Sequence, residues 1–220
     1  MPGKFITFEG GEGTGKSTQA SLLAGRLKGL GIEVVLTREP GGSAGAEVIR
    51  HVILSGAAKP LGPDVEAVLF AAARADHLDQ VIRPALERGA WVVCDRFVDS
   101  TRVYQGALGQ VDPRLLRGLE RVTIGAAVPD LTVILDIAPE IGLQRARSRG
   151  ANADRFENEG QDFHEQLRAA YREIAAREPG RCILIDADAA EGKVAEEVWD
   201  AVRRRLGSAP VEMAAGVAAR

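Results

Sequence analysis

Only two cysteines, Cys94 and Cys182, occur in the 220 residues, and only three histidines. Both cysteines sit inside apolar runs, and neither falls in a CxxC or Cys/His spacing. No thiolate metal centre can be read from them, and buried, reduced thiols are expected. No stretch approaches the ~20 apolar residues needed to cross a bilayer. Met1-Pro2-Gly3-Lys4 leads straight into a short strand-like run, so a secretion signal is not read and a cytoplasmic protein is expected. There is no excess of positive charge either. A formal net charge of -3 gives no broad footprint for a polynucleotide backbone, so no nucleic-acid polymer and no membrane is expected as a partner. Aromatic residues make up 5% of the chain, against 45% apolar and 27% charged, an ordinary globular composition that points to small-molecule chemistry.

Short apolar runs alternate with longer helical patterns. The runs are Phe5 to Phe8, Val34 to Leu36, Trp91 to Cys94, Leu131 to Leu135 and Cys182 to Ile185. This order predicts βαβ units and an α/β fold with a five-stranded parallel sheet flanked by helices on both faces. Each run ends in polar residues (Glu9, Thr37-Arg38-Glu39, Asp95-Arg96, Asp136, Asp186), which should line one crevice beyond the carboxyl ends of the strands. Helical periods appear at Ala20, Leu23, Leu27 and Leu30, starting at Ser17 and stopping at Gly31. They recur at Phe163, Leu167, Tyr171 and Ile174, and at Val194, Val198, Val202 and Leu206. A further helix carries the stripe Val65, Val68, Leu69 and Ala72, with Asp64 as the expected cap. Residues 1–207 read as one domain, and the Ala-rich tail 208–220 is expected to be flexible.

Gly10-Gly11-Glu12-Gly13-Thr14-Gly15-Lys16-Ser17 matches GxxxxGK[ST], between a predicted strand and a predicted helix. In that setting the glycines aim backbone N–H groups inward as an anion nest. Lys16 reaches the β- and γ-phosphates and Ser17 ligates Mg²⁺. Gly10, Gly11, Glu12, Gly13, Thr14, Gly15, Lys16, Ser17 and Thr18 are therefore the expected nucleotide-binding residues. The spacing fails GxGxxG, because Lys16 or Thr18 falls where the third glycine belongs, and a dinucleotide fold is excluded. No lysine stands in an Asn/Thr-Lys-x-Asp setting, which favours ATP over GTP as donor.

Three further motifs stand downstream of the loop: Thr37-Arg38-Glu39-Pro40-Gly41-Gly42, Phe70 to Arg74, and Asp95-Arg96-Phe97-Val98-Asp99-Ser100-Thr101-Arg102-Val103-Tyr104-Gln105-Gly106. Phe70 and Arg74 stand four apart on a predicted helix, so a ring and a guanidinium fork can grip one planar base. Arg38 and Arg96 each follow a strand end, aiming two guanidinium groups at the crevice where an acceptor phosphate would arrive. Asp95 either holds a magnesium-bound water or orients Arg96. Glu12 is unusual, since a carboxylate in an anion-binding loop is unfavourable unless it meets a cation or a hydroxyl.

From about Phe5 to Asp186 this set resembles the thymidylate kinases. The resemblance implies transfer of the γ-phosphoryl of ATP to dTMP, a Mg²⁺ requirement and a homodimer. It also implies base contacts from Arg74, Thr101 and Gln105, an acceptor-side role for Ser100, Tyr104 crowding the 2′ carbon of the sugar, and Glu12 facing the 3′-hydroxyl. Family members without arginine in the phosphate loop carry catalytic arginines in a lid. Here the lid falls at about 147–160, with Arg149 and Arg155 as its donors, and Arg145 or Arg147 before it set to stack on adenine. The expected catalytic residues are thus Lys16, Glu12, Arg96, Arg149 and Arg155, and the expected metal ligands Ser17 and Asp95. Phe97, where tyrosine is common, and Arg102, beside the base contacts, depart from the family pattern. A kinase for another nucleoside monophosphate or a deoxynucleoside is the competing enzyme, and a non-catalytic ATP-binding module the competing non-enzyme.

Overall fold

The computed structural model describes residues 3–148, 156 and 159–207. Five strands form one sheet: β1 (Phe5–Gly10), β2 (Val34–Arg38), β3 (Trp91–Asp95), β4 (Leu131–Asp136) and β5 (Cys182–Asp186). The order is β2-β3-β1-β4-β5 and every described pairing is parallel. All five predicted runs are strands, each extending into its polar end. Register brings those ends level: Arg38 and Phe8 both pair with Asp95, and Asp136 pairs with Asp186. From β1 the chain passes to β2 and β3 on one side, and β4 lies on the other, so the crevice above β1 is the switch point where such sheets bind ligands.

Side chains alternate across a strand, and β1 shows what that does. Ile6 and Phe8 pack in a core cluster with Leu23 and Leu27 of α1 (Lys16–Gly29) and with Val194, Val198 and Val202 of α9 (Glu191–Leu206). Phe5 faces the other way, into a cluster with Leu78, Ile82 and Phe97. Thr7 and Glu9 share that second face, and both are fully buried.

The second face is covered by most of the remaining helices. They include α2 (Ala44–Leu54), α3 (Pro63–His77), which runs through a π-helical turn at Leu78–Ile82 into the short α4 (Arg83–Glu87), and α5 (Val98–Thr101). A second π-helical segment, Arg102–Leu108, precedes α6 (Pro113–Thr123), and α8 (Gln161–Arg177) completes the set, while α7 (Pro139–Ser148) packs Ile141 against the first cluster. Two expectations need correcting. Asp64 does not cap α3: Gly62 takes that position and Pro63 begins the helix, where its missing N–H costs nothing. The stripe Val65, Val68, Leu69 and Ala72 is not the core side of α3. Ala67, Ala71, Ala73, Arg74 and His77 are buried, whereas Val65 and Val68 are exposed. The small alanines let α3 approach α2 closely, and the larger apolar residues are left outside. No described helix is long and apolar enough to cross a membrane.

Candidate active site

The phosphate loop joins β1 to α1. Its glycines serve packing as well as anion binding: Gly13 has φ +68°, and a Cβ there would meet Gly142 O at 1.8 Å, so α7 lies directly against the loop. Lys16 is buried and donates to Gly10 O at 3.1 Å and Gly11 O at 2.6 Å. Burial first, and the Arg96 charge second, push its pKa down to about 8. Ser17 Oγ donates to Asp95 Oδ2, while Asp95 Oδ1 is buried with no hydrogen-bond partner among the described residues. A hydroxyl beside a carboxylate that carries an unmatched oxygen is a donor set suited to a hard cation sharing its coordination with phosphates and water.

Beyond the loop lies a cavity of about 190 Å³. It gathers Glu12, Ser17, Arg38, Phe70 and Arg74 from the loop, β2 and α3, and Asp95, Arg96, Ser100, Thr101, Tyr104 and Gln105 from β3 and the helical segment after it. Every residue expected on the acceptor side therefore reaches one place. On the loop's other flank a cavity of about 420 Å³ is lined by Gly13, Thr14, Gly15, Thr18 and Arg145, with Gln19, Ala187 and Ala189 to Glu191 contributing. Arg145 reaches over this second space, donating to Ala187 O at 2.8 Å. Arg149, Arg155 and most of the proposed lid lie outside the described residues, as does 208–220. Phe156 also lines the acceptor cavity, with its ring 4.9 Å from that of Tyr104.

The electrostatics of the acceptor side come from arginine–carboxylate pairs. Arg96 donates to Glu12 Oε1 at 2.6 Å, and Tyr104 OH donates to the same oxygen at 2.8 Å. Burial alone would raise the Glu12 pKa, but the Arg96 and Lys16 charges and these two hydrogen bonds outweigh it and hold the carboxyl at about 2. The Arg96 backbone has φ 68°, a left-handed conformation that costs a non-glycine residue about 1–3 kcal/mol and needs support from its surroundings. Arg74 is 3% exposed and donates through Nε to Glu39 Oε2 at 2.7 Å and through Nη2 to Thr101 Oγ1 at 3.0 Å. His77 Nδ1 stands 3.1 Å from the other Glu39 oxygen. Arg38 pairs with Glu47 at 2.9 Å near the surface.

Sequence reasoning missed the carboxylates behind these arginines. Glu39 sits in the motif at the end of β2, yet nothing local marks its pairing with a residue 35 positions away. Glu9, the last polar residue of the first run, reads in the sequence only as crevice lining. It is instead wholly buried and hydrogen-bonded to the turn after β3. Arg50 also lines the acceptor cavity, and no sequence signal marks it. Arg102 is a correction: it does not line the 190 Å³ cavity but turns outward to Glu120 at 2.8 Å and Glu178 at 3.0 Å, held there by the carboxylates of α6 and the end of α8.

Similarity to known proteins agrees with this geometry. The sequence model of the family described as thymidylate kinase matches residues 8–198. The chain belongs to the thymidylate kinase family. It is 59% identical over 213 residues to a thymidylate kinase of Bradyrhizobium diazoefficiens, covering 96% of this chain and 93% of that one. With a thymidylate kinase of Nitrobacter winogradskyi it shares 62% identity over 205 residues, covering 92% and 89%. A crystal structure of thymidylate kinase from Ehrlichia chaffeensis superposes with a TM-score of 0.74 at 33% identity, covering 92% of this chain and 99% of that one. The enzyme is accordingly a phosphotransferase that phosphorylates dTMP at the expense of ATP. Kinases for other acceptors and a non-catalytic module are not favoured.

Proposed function

We propose that dTMP occupies the 190 Å³ cavity, that ATP lies along the 420 Å³ one, and that their phosphates meet at the loop between them. The observation that carries this reading is the convergence of Phe70, Arg74 and Arg96 with Glu12 and Ser17 on one cavity wall. Thymine stacks on Phe70, and Arg74, Thr101 and Gln105 face its polar edge. Tyr104 closes the space beside the sugar. Arg96 and Arg38 take the acceptor phosphate, and Arg96 exchanges its Glu12 oxygen for a phosphate oxygen, leaving Glu12 to accept the 3′-hydroxyl. Lys16 turns from the loop carbonyls to the β- and γ-phosphates, and the N–H groups at the start of α1 add their partial positive charge.

Mg²⁺ fits at Ser17 with Asp95 beside it, where it would neutralise charge on the transferring phosphoryl group. Arg149 and Arg155 close over the phosphates, and closure excludes water that would otherwise hydrolyse ATP. Arg149→Ala is then expected to slow turnover about 10²–10³-fold at saturating substrates. Near-normal turnover would remove it from the mechanism. The exposed stripe Val65, Val68 and Ala72 on α3, with Val48 and Val52 on α2, supports a homodimer through this face. Val68→Glu should then yield a monomer in sedimentation. The same reading keeps the enzyme in the cytoplasm, with Cys94 and Cys182 as buried thiols.

The direct test of the substrate assignment is coupled ADP release with dTMP, dUMP, UMP, AMP, dGMP and thymidine as acceptors. dTMP should rank first in kcat/KM, and another acceptor ranking above it would contradict the assignment.

A further inference from the structure

Two of the carboxylates around Arg96, Glu12 and Glu9, differ in kind. Glu12 lines the acceptor cavity and touches the guanidinium directly. Glu9 is wholly buried beneath it and acts through intermediaries. Glu9 Oε1 accepts the backbone N–H of Phe97 at 2.8 Å and that of Ser100 at 3.2 Å, which pins the turn immediately after the left-handed Arg96. Glu9 Oε2 accepts the hydroxyls of Ser100 at 2.7 Å and Tyr171 at 3.1 Å. With their protons given to the carboxylate, both hydroxyls turn lone pairs to Arg96 Nη1, Ser100 at 3.3 Å and Tyr171 at 3.5 Å. Tyr171 stands on α8, so the arrangement joins three elements: β1, the segment after β3, and α8.

We propose that Glu9 is a positioning residue for phosphoryl acceptance. Through Ser100 and Tyr171 it holds the Arg96 guanidinium in place when Glu12 lets go of it to an acceptor phosphate. This rests on the assignment of Arg96 to that phosphate. Glu12 is the exchangeable counterion and Glu9 the fixed one. Charged and titratable groups acting on Glu9 are Asp99 of α5, Arg96, Cys94 of β3, Tyr171 of α8 and Lys16 of α1; burial and Asp99 outweigh the hydrogen bonds and Arg96 and raise its pKa to about 7, so the ionised form that accepts both hydroxyls predominates above that pH. The mechanism needs no contact between Glu9 and either nucleotide.

Glu9→Gln separates the two arms, because the amide oxygen still serves both backbone N–H groups while its NH₂ replaces an acceptor with a donor. Measured with purified full-length enzyme, it should raise the KM for dTMP about 10- to 100-fold, the worth of hydrogen bonds to a charged group, and leave the KM for ATP within about twofold. Tyr171→Phe, which adds no buried charge, should move the same constant in the same direction by about 3- to 10-fold, and it carries the test alone if Glu9→Gln does not fold. In an Arg96→Ala background neither change should add a further effect on dTMP, whereas a merely structural role would add its full penalty to both substrates. Equal losses for ATP and dTMP, or no loss for dTMP, would overturn the proposal while leaving the Arg96 assignment intact. If Arg96→Ala itself leaves the KM for dTMP unchanged, that assignment falls and this inference falls with it.

Discussion

The donor and acceptor halves of the site hold their cations by different means. On the donor side Lys16 rests on loop carbonyl oxygens, and the glycine loop and the start of α1 supply the rest. On the acceptor side Arg96, Arg74 and Arg38 are each already engaged with a carboxylate, Glu12, Glu39 and Glu47. A lysine held by neutral dipoles can move to a phosphate without leaving an anion uncompensated. An arginine held by a carboxylate can do so only if that carboxylate finds another partner. Glu12 has Tyr104, and we propose the sugar hydroxyl as well; Glu39 has His77 and stays buried. The comparison therefore gives Arg96 an exchangeable carboxylate and Arg74 a permanent one.

The largest expected effect falls on the buried pair. Arg74→Ala leaves Glu39, 4% exposed, without its guanidinium, and should lower unfolding stability by about 3–5 kcal/mol in chemical denaturation. A change below about 1 kcal/mol would break the distinction between permanent and exchangeable carboxylate partners. Next comes Lys16→Ala, expected to reduce kcat about 10²–10³-fold in coupled ADP release with little change in stability, since the loop carbonyls lose only one donor. A smaller effect concerns pH. Lys16 must be protonated to meet phosphate, and in the free enzyme its pKa lies at about 8. Hence kcat/KM for ATP should fall as pH rises through about 8 toward about 10, while kcat at saturating ATP falls only at higher pH because bound phosphate favours the charged form. A flat profile over that range would contradict the picture of a desolvated lysine. Smallest is Arg38→Ala, which breaks an exposed pair with Glu47 and should cost less than about 1 kcal/mol in stability, its effect appearing instead in the KM for dTMP.

The same contrast explains what was legible in the sequence. The donor side is built from consecutive residues whose backbone conformation does the binding, so GxxxxGK[ST] announces it. The strands were equally legible, because buried parallel strands read as short apolar runs closed by polar residues, as at Leu131 to Asp136. The acceptor arginines could be named from their places after strands and on α3. Glu12 was legible too, as a carboxylate in need of a cation, but its pairing was not, since Glu12 and Arg96 are separated by 84 residues and only the sheet order brings them together. Helix facing failed at α3 for a related reason: Val65 and Val68 outrank Ala67 and Ala71 in hydrophobicity, yet close packing against α2 selects the smaller residues for the interior. The start of α6 does carry a local signal in Asp112-Pro113, where the Asp112 side chain accepts the Arg114 N–H at 2.7 Å, and Leu115, Leu116, Leu119 and Val122 follow at helical spacing, so this helix was legible although it is not among those predicted above. Glu9 looks like any polar strand end, and only its depth beneath Arg96 gives it meaning.

The most direct test of the central claim is a crystal structure of the enzyme with dTMP and a non-hydrolysable ATP analogue bound together. The thymine ring is expected against Phe70, with an acceptor phosphate oxygen on Arg96 in place of Glu12 and Arg74 still on Glu39. dTMP bound away from Phe70, or bound there with the Arg96–Glu12 pair intact, would contradict it.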